Sequence, residues 1–256
     1  MASFDIIDAV GNGYSRVWAE RRYLLKLAAV PVFLKFIALA SIFAWNLHEH
    51  QLRLTFAMLP SYFAEGWMLA HMARLIFLDN RWPFQPSGDI RKDEPLLMER
   101  ARGIMAGTIV YVIIQMALSG LFFGVQNLDL SSLDPERVDV KIAALLALPV
   151  LIWSFRYMWL NIPLAINYDL REFLRELGGF MISFCMMATW MVCFIPVLLI
   201  MSTGTFPVIF NEEGSFSMPM QIMGYMVQAA LEALAVLLGT AAMCYGLRDM
   251  LERNRQ

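Results

Sequence analysis

The sequence predicts an all-α integral membrane protein: six transmembrane helices preceded by an amphipathic helix at the membrane interface, in a single membrane domain over residues 1–256. The first observation is composition. The chain is 59% hydrophobic and 16% charged, with a mean hydropathy of +0.56, whereas soluble domains carry about a quarter charged residues. The second is that apolar runs of about 20 residues, long enough to cross a bilayer as a helix, recur along the chain.

Residues 1–22 are predicted to lie along the membrane surface. Apolar side chains recur there at three- and four-residue steps with polar ones between them, which is typical of an amphipathic helix. The apolar positions are Ile6, Ile7, Val10, Tyr14, Val17 and Trp18. Gly11 and Gly13 lower the helix propensity, so a helix broken at this point is the alternative.

The six predicted spans cover residues 24–45, 54–78, 104–125, 142–166, 180–203 and 218–247. Before the third span, Asp93-Glu94-Pro95 is typical of a helix start, with proline at the first helical position. Within that span, the pairs Gly103/Gly107 and Gly120/Gly124 have the spacing that lets two helices approach closely.

The distribution of basic residues predicts the orientation, because Lys and Arg are retained on the cytoplasmic side of a membrane. An even number of spans places both termini on one side. That side carries fourteen Lys and Arg residues, and the other side carries three, Arg53, Arg137 and Lys141. Both termini are therefore predicted to be cytoplasmic.

Lys35 and Glu65 lie in the first two spans, which form a predicted hairpin. Each is fifteen residues from position 50, at the centre of the turn. Since a helix rises about 1.5 Å per residue, both are expected near the middle of the membrane. A charged side chain there costs about 2.5–3.5 kcal/mol on insertion scales, so the two are expected to pair.

Arg156 and Glu232 each lie fourteen residues into the fourth and sixth spans, which run in the same direction. They share a depth if these helices are neighbours. The mid-membrane ions Lys35, Glu65, Arg156 and Glu232 would then carry no net charge. Arg74 lies close to the cytoplasmic end of its span, and we expect its side chain to reach the lipid headgroups.

Ionisable side chains at this depth have two interpretations, and both stay open. On the first interpretation, they fix the order and register of the helices. On the second, they serve transport or proton handling, and the polar residues that line a path are His71, Gln115, Asn161 and Gln228. On the first interpretation, exchanging Lys35 and Glu65 should largely preserve folding. On the second, replacing Glu65 or Glu232 by Gln should leave a stable protein with lost flux.

No cofactor and no catalytic residue is predicted, because the chain lacks G-x-S-x-G, H-E-x-x-H and P-loop motifs. A copper path is a weaker alternative, since Met218 and Met220 offer soft thioethers and His48 and His50 lie on the same predicted face.

The three cysteines, Cys185, Cys193 and Cys244, fall in apolar runs and are expected to pack as small apolar side chains. A nucleic-acid partner is not expected, because no basic face or binding motif is present.

Three stretches, AERRYLLKLAAVP, HMARLIFLDN and FRYMWLNIPLAI, resemble a loose group of uncharacterised six-helix bacterial inner-membrane proteins. They are also similar to the membrane domain attached to some glycerophosphodiester phosphodiesterases. The resemblance implies a bacterial inner-membrane location. The residues present include no soluble phosphodiesterase domain, so that activity is not carried over.

The expected function is that of a non-enzymatic assembly or interaction module in the membrane. A small transporter or channel that uses the paired mid-membrane charges is the alternative. The expected partners are the lipid bilayer and either another membrane protein or a second copy of the chain.

Overall fold

The computed structural model describes residues 4–45, 47, 50–126, 149–209 and 217–254, and every regular element in these ranges is helical. In chain order the helices are α1 (Ile6–Ala19), α2 (Arg21–Ala44), α3 (Gln51–Leu78), α4 (Ile90–Gln126), α5 (Asn161–Ala165), α6 (Leu170–Glu176), α7 (Phe180–Gly204), α8 (Phe206–Ile209) and α9 (Met218–Asn254). Residues 149–154 are also helical, and the 3-10 helix Phe155–Trp159 follows them. The all-α prediction is confirmed for the described residues.

Four helices within the described ranges are long and apolar enough to cross a membrane. They are Arg21–Ala44, Ile90–Leu121, Phe180–Ile209 and Met218–Arg253, which correspond to the first, third, fifth and sixth predicted spans. The second predicted span falls on α3, which has 28 residues. α3 is long enough to cross, but polar side chains such as Glu65, His71 and Arg74 interrupt its apolar stretch, and it is not among these four.

The fourth predicted span is interrupted where the structure describes it. Residues 142–148 lie outside the described ranges, and the remainder consists of a helical stretch, a 3-10 turn and the short α5. Pro163 has no N–H to donate to the Trp159 carbonyl four residues earlier, which disfavours an unbroken α-helix at this point. The described part of the span predicted over residues 142–166 is therefore not one continuous α-helix.

α4 begins earlier than predicted, at Ile90, and contains Pro95. The cap is Asp89, whose Oδ1 accepts a hydrogen bond from the Arg91 N–H at 3.1 Å. Asp93 instead accepts hydrogen bonds from the N–H of Ser87 at 3.1 Å and of Gly88 at 3.2 Å, and so closes the preceding turn. The helix start predicted at Asp93-Glu94-Pro95 is displaced because both aspartates can act as caps and Asp89 comes first.

α3 and α9 form the centre of the structure. α3 packs against α2, α4, α5 and α9, and α9 also packs against α1, α2 and α7. All α3 side chains from Met68 to Ile76 are buried. From α9, Met243, Leu247 and Met250 complete the same apolar core. A helix that is enclosed on all sides needs no polar outer face, so both helices carry long runs of buried side chains.

α1 runs unbroken through both of its glycines, so the alternative of a broken helix is wrong. Asp5 caps it, accepting the Ile7 N–H at 2.8 Å. Two apolar faces replace the single predicted one. The face buried against the other helices consists of Ala9, Gly13 and Val17, and the exposed apolar face consists of Ile7, Tyr14 and Trp18. α1 packs on α9 and α7 with the first face.

The ends of several helices are joined by polar contacts at one end of the structure. These contacts are Arg16 Nη2 to Asp79 Oδ1 at 2.9 Å, Arg81 Nη2 to Glu20 Oε1 at 2.6 Å, and Arg248 Nη1 to the Ile76 carbonyl at 3.4 Å. Phe4 lies against Gly246 of α9. The first and last described segments of the chain therefore meet at the same end.

α6 lies between α5 and α7 along the chain, and Asp169 caps its start. The carboxylate of Asp169 accepts hydrogen bonds from the N–H of Glu172 at 3.0 Å and of Arg171 at 2.8 Å. These hydrogen bonds stabilise the charged form and hold the pKa of the Asp169 carboxyl below its ordinary value. The cap fixes where the chain turns before α7.

Candidate functional site

Lys35 of α2 binds two carboxylates that come from two other helices. Its Nζ lies 2.6 Å from Oε1 of Glu65 in α3 and 2.8 Å from Oε2 of Glu232 in α9. The contact between Lys35 and Glu65, expected from their equal distance from the hairpin turn, is present. The contact with Glu232 was not expected, since the sequence placed Glu232 with Arg156. We call Lys35, Glu65 and Glu232 the ion cluster.

Two neutral side chains complete the ion cluster. The Tyr111 hydroxyl of α4 donates to Oε2 of Glu65 at 3.0 Å, and Nε2 of Gln228 donates to Oε1 of Glu232 at 2.8 Å. All four carboxylate oxygens therefore have a partner. Buried charges are tolerated when they are paired and their remaining lone pairs are hydrogen-bonded. The arrangement joins α2, α3, α4 and α9 at one point.

The ion cluster is buried unevenly. The side-chain exposures of Lys35, Glu65 and Glu232 are 7%, 2% and 26%. With all three groups ionised, the cluster carries one more negative charge than positive. The most exposed member is the second carboxylate, Glu232. The predicted neutral set of four ions is therefore wrong, because Arg156 is not part of it.

Arg156 lies in a separate site beside α7. Its Nη1 donates to the Leu177 carbonyl at 2.8 Å and its Nη2 to the Tyr157 hydroxyl at 3.0 Å. The guanidinium also lies over the Trp153 ring, 3.9 Å from the centroid. Within the described ranges, no carboxylate reaches it. Arg156 is neutralised by a carbonyl dipole and an aromatic face, both of which bind guanidinium well.

Arg74 is buried within the protein, so the expectation that it reaches the lipid headgroups is wrong. Its Nη1 donates to the Ala165 carbonyl at 2.9 Å, and its Nη2 lies 3.7 Å from Oε1 of Glu99. The last carbonyls of a helix lack an intrahelical donor. Arg74 therefore satisfies the end of α5 and fixes that short helix to α3.

His71 lies nearer the C-terminal end of α3 than the ion cluster. Its ring packs edge-on against Trp67, with centroids 4.7 Å apart, and faces Trp82 at 6.5 Å. Its Nδ1 is buried and has no hydrogen-bond partner among the described residues. The structure thus places His71 in an aromatic cluster rather than beside Lys35.

The other predicted lining residues are dispersed. Gln228 belongs to the ion cluster through Glu232. Asn161 is buried at the start of α5, where its backbone carbonyl faces Gly107 of α4. Gln115 is half-buried on α4, and no hydrogen bond between described residues joins it to the ion cluster. These residues do not form one continuous polar path.

The predicted copper alternative has little support in the described part of the chain. Met218 is exposed at the start of α9, as is Met220. His50 is exposed at the start of α3, whereas His48 lies outside the described residues. No group of three or more His, Cys, Asp or Glu side chains in the described ranges is arranged to hold a metal ion. Cys185, Cys193 and Cys244 are free and buried.

Sequence reasoning missed Tyr111, the hydroxyl partner of Glu65. A usable signal was present, because Tyr111 lies in the apolar part of α4 where a phenol needs a hydrogen-bond partner. Helix periodicity places it one turn beyond Gly107, on the face that meets α3 and α5. Which acceptor it binds depends on the packing of α4 on α3.

The arrangement defines a helical protein whose interior is joined by a buried cluster of ions. Comparison of the chain with protein-family models, with curated proteins and with solved structures finds no match in any of the three.

Proposed function

We propose that this protein is a multi-pass protein of the bacterial inner membrane that crosses the bilayer six times. The four long apolar helices support this. α3, with 28 residues, would be a fifth crossing, since at about 1.5 Å per residue it is longer than the hydrocarbon layer of about 30 Å. Its polar side chains point into the protein, where Glu65, His71 and Arg74 are buried. The fourth crossing is supported by the sequence of residues 142–166.

Both termini are placed on the cytoplasmic side in this proposal. The support is the excess of Lys and Arg at one side of the predicted topology. In the structure, Arg16, Arg81 and Arg248 bind at one end of the helices, which fits this distribution. Attaching a membrane-impermeant label to a cysteine introduced near residue 3 or residue 255 tests the orientation. The three native cysteines are buried, so the introduced thiol gives the signal.

Its function, on this proposal, is that of a non-enzymatic assembly or interaction module whose helices are locked by the ion cluster. One observation carries the proposal: all four carboxylate oxygens are bonded to residues of the protein. Such a cluster fixes which helices are neighbours, because any other arrangement leaves a charge unpaired in lipid. The exposed apolar side chains of the same helices then face lipid, another membrane protein or a second copy of the chain.

A small transporter or channel is the second candidate, and a different observation favours it. Two carboxylates share one ammonium, and Glu232 is more exposed than its two partners. The extra carboxylate could take up a proton or a cation without breaking the contact between Lys35 and Glu65. Intramembrane carboxylates often have this use in pumps and transporters.

Flux and stability measurements separate the two candidates. The wild-type protein and its Glu232→Gln variant are reconstituted in liposomes containing a pH-sensitive dye, and a potassium diffusion potential is imposed. A structural lock predicts dye signals equal to those of empty liposomes for both proteins, with a lower unfolding midpoint for the variant. A wild-type flux that Glu232→Gln abolishes would instead establish the transporter.

The resemblance to the membrane domain of some glycerophosphodiester phosphodiesterases remains a prediction. It agrees with a role in which the membrane domain positions other proteins. Light scattering of the detergent-purified protein gives the mass of the assembly. A mass equal to one chain of 29.2 kDa, with no co-purifying membrane protein, would count against the assembly role.

A further inference from the structure

A groove between α2 and α9 opens on the outer surface of the helices. It encloses about 300 Å³, and its lining is almost entirely apolar. On α2 the lining includes Leu25, Ala29, Phe33 and Phe36, and on α9 it includes Met226 and Ala230. The groove is open because the side chains of Ala29 and Ala230 are small, and the two phenylalanines form its walls.

The length of the groove matches one leaflet of a bilayer. From Leu25 to Phe36 the axis of α2 rises by about 16 Å, at about 1.5 Å per residue. Half of a hydrocarbon layer of about 30 Å is about 15 Å. The deep end of the groove lies beside Lys35, which the proposed topology places near the middle of the membrane. The groove therefore extends from the membrane surface to its centre.

Two cations lie at the surface end of the groove. Lys26 precedes Ala29 by three residues, and Arg22 precedes Leu25 by three, so helical periodicity places both on the groove side of α2. Both side chains are exposed. Neither forms an ion pair with a described residue, unlike Arg16 and Arg81 on the same end. Arg22 also lines a cavity of about 350 Å³ at the start of α2.

We infer that this groove binds one anionic phospholipid of the cytoplasmic leaflet, with its phosphate headgroup on Arg22 and Lys26 and an acyl chain along Ala29 and Phe33. The unpaired cations supply charge complementarity, and the apolar groove supplies a site of one leaflet's length. A lipid without net negative charge would fill the groove but would not use the two cations. This inference rests on the membrane location proposed above.

Native mass spectrometry of the full chain in dodecyl maltoside tests the inference. The probes are palmitoyl-oleoyl phosphatidylglycerol and palmitoyl-oleoyl phosphatidylcholine, which differ only in the headgroup. The wild-type protein is expected to bind the anionic lipid more tightly. Replacing Arg22 and Lys26 together by Gln should weaken binding of the anionic lipid by about fivefold for each charge removed, corresponding to about 1 kcal/mol per basic residue, and leave the neutral lipid unchanged.

Matched variants separate this site from general attraction to the membrane. Arg91 and Arg102 are exposed basic residues on α4, and replacing both by Gln should leave binding of both lipids unchanged. Ala29→Leu fills the groove and should weaken the binding of both lipids. Ala117→Leu, at an exposed position on α4, should leave the binding of both lipids unchanged.

Three outcomes would overturn the inference: equal binding of the two lipids by the wild-type protein, an equal loss in the Arg91 and Arg102 control, or displacement of the lipid by inorganic phosphate, which would indicate a simple anion site. Failure of the membrane assignment looks different, because the protein would then remain soluble without detergent. If the structural-lock proposal is wrong, the liposome assay shows a flux through the wild-type protein. The preference for the anionic lipid is then unchanged.

Discussion

Gly13 of α1 lies directly against Ala242 of α9: a Cβ on Gly13 would come within 2.7 Å of the Ala242 backbone nitrogen. The contact is with main chain, which cannot rotate away as a flexible side chain can. α1 therefore packs on α9 only because position 13 has no side chain. The glycine that weakens the helix in isolation is what lets the helix dock.

Gly13→Ala is expected to lower the free energy of unfolding by about 1–3 kcal/mol, the typical cost of overpacking. The matched control is Gly11→Ala in the same helix, where a Cβ would meet nothing within 4 Å. That variant should be neutral or more stable by up to about 1 kcal/mol, since alanine is the better helix former. Denaturant unfolding in detergent, followed by tryptophan fluorescence, measures both. Equal effects of the two substitutions would contradict the docking of α1 on α9.

Exchanging Lys35 and Glu65 should destabilise the protein, contrary to the expectation from the sequence. The exchange places a carboxylate at position 35, facing Glu232 of α9, which now lies 2.8 Å from the Lys35 ammonium. Two facing buried carboxylates repel one another. Adding Glu232→Gln to the exchange should restore much of the loss. Unfolding midpoints of the double and triple variants test this, and a triple variant no more stable than the double one would refute it.

Glu232 is expected to couple energetically to Lys35 and not to Arg156. Double-mutant cycles with Lys35→Met and Glu232→Gln should give a coupling of about 0.5–3 kcal/mol, as for residues in contact. The same cycle with Arg156→Met should give less than about 0.5 kcal/mol, because the two side chains share no partner. A larger coupling for Arg156 than for Lys35 would mean that the fourth and sixth predicted spans are packed differently.

Gly107→Ala should also be destabilising, because its Cβ would lie 2.9 Å from the Ala165 Cβ and from the Asn161 carbonyl oxygen in α5. The expected loss is about 1–3 kcal/mol. Gly120 lies on the same helix with nothing within 4 Å of its Cβ position, and Gly120→Ala serves as the control. Thermal unfolding of the purified variants distinguishes them. If Gly120→Ala were the more destabilising substitution, α4 would have to approach a neighbouring helix closely at Gly120 and Gly124 instead.

The two glycine pairs of the third span illustrate what a spacing can and cannot predict. Gly103 and Gly107 have the same four-residue separation as Gly120 and Gly124. Only the first pair is known to face a neighbour, since Gly103 and Gly107 both lie against α5, whereas Gly120 is open. The spacing places two small residues on one face, but the neighbouring helix decides whether that face is used.

The sequence by itself determined the all-helical class, most helix positions and the contact of Lys35 with Glu65. These follow from local apolar runs and from two helices joined by a short turn, where equal distance from the turn means equal depth. Only the tertiary structure decided the partner of Glu232, the burial of Arg74 and the isolation of Arg156. Each depends on which distant helices are neighbours, and the chain does not encode that choice in any local pattern, because it results from the packing of all the helices together.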